Sequence, residues 1–157
     1  MVSPHEMELL SRQINQAHRA AIQAELSAAG LAEVGHPMLL SILKTNEDDP
    51  EELCLAQREL AEFLHISPAA VANSLKSLER GGYIRREPGQ QDARCNRVHL
   101  TDKGRAAVCG CDRAFTTVSD RMLAGFSEEE KETLLSFRRR MLQNLLDGVP
   151  SQPKEVD

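Results

Sequence analysis

Residues 57–82 read QRELAEFLHISPAAVANSLKSLERGG, and this stretch decides the fold. Gln57–Leu64 supplies two helical turns, and His65-Ile66 interrupts them. Ser67-Pro68 is then a start signal: a hydroxyl stands at the N-cap, and Pro stands at the first helical position, where its missing N–H costs nothing. The helix runs on through Val71, Leu75 and Leu78, spaced by four and three, and stops at Gly81-Gly82. Two short helices joined by a three- or four-residue turn form a helix-turn-helix. With the apolar positions facing inward, Pro68, Ala69, Ala70, Ala72, Asn73 and Lys76 are left on the outer face.

A hairpin pattern follows directly. Tyr83-Ile84-Arg85-Arg86-Glu87 alternates imperfectly, Pro88-Gly89 marks a turn, and Asn96-Arg97-Val98-His99-Leu100 alternates cleanly. Thr101 can cap the next helix, which carries Ala107, Cys111, Ala114, Val118 and Met122 on one stripe and closes at Gly125-Phe126. Ser127 and Glu130 make a capping box for a last helix, with Leu134, Phe137, Met141 and Leu145 on its apolar side and Gly148-Val149-Pro150 at its end. Upstream, Leu10, Ile14, Ala17 and Ala21 mark a long helix ended by Gly30, and residues 38–43 form a short buried helix after Pro37. Residues 46–52 read as an acidic loop and Leu53-Cys54-Leu55 as a very short strand.

A helix-turn-helix with a basic two-stranded hairpin is a winged helix. The second helix of such a unit enters the DNA major groove and reads base edges, while the wing reaches phosphates or the minor groove. The backbone approaches the bases only if the outer residues near that helix's start are small or polar. Ala69, Ala70, Ala72 and Asn73 meet this condition, and an Asn can bond bidentately to an adenine edge. Ser67, Ser74 and the helix N-terminus are candidates to hold phosphates, and Lys76 to meet the backbone.

The sequence resembles the MarR family of bacterial transcriptional regulators. The resemblance is carried by Gln57-Arg58-Glu59-Leu60-Ala61, Ile66-Ser67, Val71, Leu78-Glu79 and Gly82, then by Arg86, Asp92-Ala93-Arg94, Arg97-Val98 and Leu100-Thr101-Asp102-Lys103-Gly104. It implies a mainly α fold with a small β-hairpin wing: a winged helix-turn-helix at 53–104 flanked by long dimerisation helices at 1–45 and 105–148. A flexible tail at 149–157 completes a single domain over 1–157. It implies a homodimer on a pseudo-palindromic double-stranded operator, acting as a repressor that a small-molecule effector releases. It adds Gln57, Arg58 and Arg97 to the DNA-contacting set, and it places Arg94 in the minor groove braced by Asp92. The chain departs from the family pattern at Ala56, Asn73 and Ala93, which lowers the positive charge of the contact surface. Effectors in this family bind between the dimer helices and the winged helix, and His18, Arg19, His36 and Met38 are the candidates to line that region.

The thiols support a different regulatory reading, a redox or metal response through Cys95, Cys109 and Cys111. Cys109 and Cys111 point about 200° apart on a helix, so an intrahelical disulfide or a shared metal needs local unwinding. Cys111 falls on the apolar stripe and reads as a small core residue. Cys109 lies near Arg105, Asp112 and Arg113, of which the arginines favour a thiolate, and Cys95 sits beside Arg94 in the wing. His36 with Cys109 and a Glu of the first helix is the corresponding metal set. From another class, a winged helix can serve as a protein-interaction module without specific DNA binding.

Composition removes other classes. The 157 residues suffice to bury a core without staples. No apolar run approaches the roughly 18 residues of a membrane span, and the first residues lack the pattern of a secretory signal. The four cysteines therefore read as reduced thiols, and the location as cytoplasmic. No Gly-rich phosphate loop, His-Glu-x-x-His or nucleophile elbow points to an enzyme, and no cofactor is implied. The net charge of -5 is the one feature that opposes nucleic acid. Residues 56–105, however, hold nine Lys and Arg against six Asp and Glu, a local +3, so the acidity lies elsewhere.

Overall fold

The computed structural model describes residues 2–45, 57–88 and 96–147. Eight elements follow in order: α1 (Pro4–Ala28), α2 (Pro37–Thr45), α3 (Gln57–Leu64), α4 (Pro68–Arg80), β1 (Ile84–Pro88), β2 (Asn96–Leu100), α5 (Asp102–Met122) and α6 (Glu128–Asp147). The strand expected at 53–55, the acidic loop and the tail lie outside the described residues, as do Cys54 and Ala56. Contacts divide the chain into a unit Met1–Val118 and a unit Ser119–Asp157, the boundary falling inside α5. No described helix is long and apolar enough to cross a membrane.

The first unit holds the core, and local chemistry sets where its helices start. Ser3 caps α1 by accepting from the Glu6 N–H at 3.4 Å, with Pro4 in the first turn. Only Ile22 and Leu26 of α1 are buried; Met7, Leu10 and Ile14, on its first half, are exposed. Pro37 opens α2, which buries Leu39, Leu40 and Leu43. These residues pack into one cluster with Leu60 and Ala61 of α3, Val71, Leu75 and Leu78 of α4, Ile84, Val98 and Leu100 of the hairpin, and Ala107, Val108, Cys111, Ala114 and Val118 of α5. The α5 stripe anticipated from spacing is thus buried except for Met122, its last member, which is 36% exposed. The Ser41 hydroxyl donates to Asp112 Oδ1 at 2.7 Å and ties α2 to α5.

The hairpin is antiparallel, with Ile84 opposite Leu100, Arg86 opposite Val98 and Glu87 opposite Arg97. Gly82, at φ 74, takes the left-handed conformation that ends α4 and releases the chain into β1.

In the second unit, Ser127 and Glu130 form the reciprocal capping box read from sequence. The Glu130 N–H donates to Ser127 Oγ at 3.2 Å, and the Ser127 N–H to Glu130 Oε2 at 2.8 Å. On the apolar side read from sequence, Phe137, Met141 and Leu145 are 49%, 52% and 70% exposed, and no residue of α6 is buried.

Candidate nucleic-acid interface

The interface is built on α4 and the turn before it. His65 adopts φ 51, an uncommon conformation for a non-glycine residue. It closes the turn, with the Ile66 N–H donating to the Ala61 carbonyl at 3.0 Å. Ser67 then stands extended at φ -68, ψ 148, and its Oγ accepts from the Ala70 N–H at 3.1 Å. Pro68 follows at the first helical position, so the N-terminus of α4 begins where the sequence placed it.

Burial sorts the α4 side chains into two faces. Val71, Ser74, Leu75 and Leu78 are inside. Pro68, Ala69, Asn73, Lys76 and Arg80 are exposed, and Ala70 and Ala72 are half-buried. Ala69, Asn73, Lys76 and Arg80 are spaced four, three and four, so they share one strip that runs from small and polar to basic. Ser74 corrects the sequence reading. It is 2% exposed, and its hydroxyl donates to the Ala70 carbonyl at 2.7 Å, so it faces the core and reaches no phosphate.

The root of the wing is fastened to the end of α4 and the start of α5. The Thr101 hydroxyl lies 2.6 Å from the Gly82 carbonyl and 3.1 Å from that of Tyr83, and it accepts from the Gly104 N–H at 3.0 Å. Lys103 Nζ donates to the Gly81 carbonyl at 2.7 Å and lies 4.5 Å above the Tyr83 ring, a cation–π contact. On the solvated face of β1, Arg85 lies 3.5 Å from Glu87, whose other oxygen is 3.7 Å from His99.

On the inward face, Arg86 forms a half-buried ion pair with Glu79 of α4, donating from Nε at 2.9 Å and also from Nη2 to the same oxygen. The Arg86 hydrogen bond holds the Glu79 carboxyl below its usual range, against the opposing effect of burial. Sequence reading did not assign this pair. The available signal was a charge at Arg86 where alternation from buried Ile84 calls for an inward residue.

Several anticipated contacts are not among the described side chains. Asp92, Arg94 and Cys95 lie outside the described residues. Gln57 and Arg58 occupy the first turn of α3, and Arg97 stands on β2; their side chains are likewise outside the described set. His18, Arg19, His36 and Met38 are all exposed and line no described cavity together. A groove of about 630 Å³ lies between the end of α1 and α5, with Glu25, Leu31, Tyr83, Lys103, Gly110 and Arg113 among its walls. The four residues named from sequence are not among these walls.

The thiols separate sharply. Cys109 is exposed, whereas Cys111 is fully buried. Burial first, and the nearby Asp112 charge second, push the Cys111 thiol up to about 11, so it is a poor candidate for redox chemistry. Among the described residues no group of three or more His, Cys, Asp or Glu could hold a metal ion, so His36, Cys109 and a Glu of α1 do not converge.

Comparison with known proteins places this geometry. Residues 29–94 match a model of the MarR family. An uncharacterized HTH-type transcriptional regulator of Bacillus subtilis, YdgJ, is 33% identical over 91 residues, covering 58% of this chain and 56% of the relative. Another from the same organism, YybA, is 29% identical over 91 residues, 58% of this chain and 61% of the relative. The chain thus spans somewhat over half the length of these curated relatives. Among solved structures, Staphylococcus aureus MepR in its complex with DNA superposes with a TM-score of 0.72 at 27% identity, over 87% of this chain and 94% of that one. A MarR-family regulator from Silicibacter pomeroyi gives 0.63 at 26% identity, over 94% and 90%.

Proposed function

We propose that this chain is a winged helix-turn-helix protein of the MarR family and, on that premise, a DNA-binding transcriptional regulator, a homodimeric repressor of a pseudo-palindromic operator. The observation that carries the reading is the exposed strip Ala69, Asn73, Lys76 and Arg80 on a capped helix. Small side chains at its start let the backbone approach base edges, Asn73 supplies an amide to read them, and the cations lie where phosphates flank the groove. The only acid of α4, Glu79, is neutralised by Arg86 and does not oppose the DNA. MepR, at 27% identity, was solved on DNA, which supports the same mode here.

The exposed apolar residues of α1 and α6 support the dimeric reading. Two reading heads related by a dyad match a pseudo-palindrome. The α1–α5 groove offers a place for a small-molecule effector, with the Arg113 side chain and the Tyr83 ring suited to an anionic aromatic compound. Such a ligand would release DNA to the extent that it prefers the DNA-incompetent spacing of the heads.

The test is an anisotropy titration with a labelled duplex from upstream of the protein's own gene, at several salt concentrations. Specific binding with Kd on the order of 10⁻⁸–10⁻¹¹ M and a steep loss with salt is expected. Arg94→Ala should weaken binding broadly, and Asn73→Ala should change the preferred bases at a cost of about 1–3 kcal/mol. Equal, weak affinity for random DNA would instead favour a protein-interaction module.

A further inference from the structure

We propose that Glu79 and Arg86 are a positioning pair that sets the angle of the wing against the recognition helix, so that the two DNA-contacting parts engage together. This rests on the DNA-binding reading above. Arg86 occupies the inward face of β1, two residues after buried Ile84 and opposite buried Val98. An apolar residue there would extend the core, but the chain places a guanidinium, which turns to α4 and donates from both Nε and Nη2 to Glu79 Oε2.

Among the described residues, Leu75 and Leu78 of α4 and Ile84 of β1 are also buried in one apolar cluster. Apolar contacts are non-directional; they resist separation better than twist. A charge-assisted bond made from two nitrogens is directional and fixes orientation. The pair also sits beyond the root of the wing, at the middle of β1. The staples of Thr101 and Lys103 hold the hairpin's root at Gly81, Gly82 and Tyr83, and Arg86 holds the stem farther out. Held at its root and again at Arg86, the stem resists rotation about the root, and a twist released at Arg86 is carried along the paired strands.

The experiment compares the full-length parent with E79Q, R86K, R94A, E79Q/R94A and the charge swap E79R/R86E, using the labelled upstream duplex and hydroxyl-radical footprinting. If Glu79 acts through the wing, E79Q weakens binding about tenfold and erases protection at the minor-groove flanks, while protection over the major-groove core persists. On the R94A background the same change adds less than about twofold, because the wing contact is already gone. R86K gives an intermediate loss, since an ammonium lacks the fork, and the swap recovers most of the affinity. The swap and R86K decide the matter if E79Q alone fails to fold. Multiplicative losses in E79Q/R94A, uniform fading of the footprint, or E79Q and R86K both binding like the parent would overturn the pair's role while leaving the DNA reading intact. A parent that binds no duplex specifically overturns both.

Discussion

Cys109 and Cys111 are two residues apart and have opposite fates. Helical spacing already put Cys111 on the apolar stripe, and the structure buries it completely. Burial and Asp112 raise its thiol from the ordinary 9.0 to about 11. Alkylation with iodoacetamide at pH 8 should therefore modify Cys109 in the native protein and spare Cys111 until denaturant is added; native labelling of Cys111 would contradict its placement. The raised value also fixes a pH dependence. Below about 9 the thiol is protonated in both states and contributes no slope; between about 9 and 11 the unfolded chain ionises first, so stability falls as pH rises, by an amount on the order of 2–3 kcal/mol. Urea titrations at pH 8 and pH 11 should show this loss, and Cys111→Ala should remove it. Ser74 marks the limit of residue-scale reading. Its residue type suits a phosphate, but its angular position is that of Val71, Leu75 and Leu78, and its hydroxyl bonds back to the Ala70 carbonyl one turn earlier. Ser residues on an inward face commonly satisfy themselves this way.

Elements were legible where their signals were local. The Ser67-Pro68 start of α4, the Ser127–Glu130 box of α6 and the Thr101 cap of α5 each depend on residues within three positions, and each occurs in the structure as the sequence indicated. The wing's register follows from alternation and the pairing of Ile84 with Leu100. What joins these elements was less visible. Gly104, in the first turn of α5, is buried against the Tyr83 backbone: a Cβ there would lie 2.0 Å from the Tyr83 carbonyl oxygen. Gly104→Ala should push α5 off the wing root and cost about 1–3 kcal/mol despite improving local helix propensity, measured by thermal or urea unfolding. An unchanged midpoint would mean that α5 does not dock on the root as described. The sequence contains this glycine but not the carbonyl that demands it.

For the whole molecule, charge and uncovered apolar surface point the same way. Net charge is -5, yet residues 56–105 carry an excess of basic side chains, so the acidic remainder repels phosphate and favours docking through the reading head. Leu10 and Ile14 on α1, and Phe137, Met141 and Leu145 on α6, each remain about half or more exposed. If these faces meet a second copy, sedimentation at micromolar concentration should give a dimer. Leu10→Glu with Ile14→Glu should shift it to monomer and weaken operator binding, because each half-site then binds alone. A parent protein that sediments as a monomer would rule out the dimeric reading.

By itself the sequence determined the order and type of the elements, the capped start of α4, the small and polar character of its outer strip and the winged helix they compose. These follow from 3.6- and 2-residue periodicities and from caps, which act within a turn of chain. The tertiary structure alone decided that Ser74 turns into the core, that Arg86 reaches back to Glu79, and that a groove opens beside Arg113 and Tyr83. Those outcomes depend on which faces of distant helices meet, and that is fixed by packing a single core from α1 to α5 rather than by any one segment.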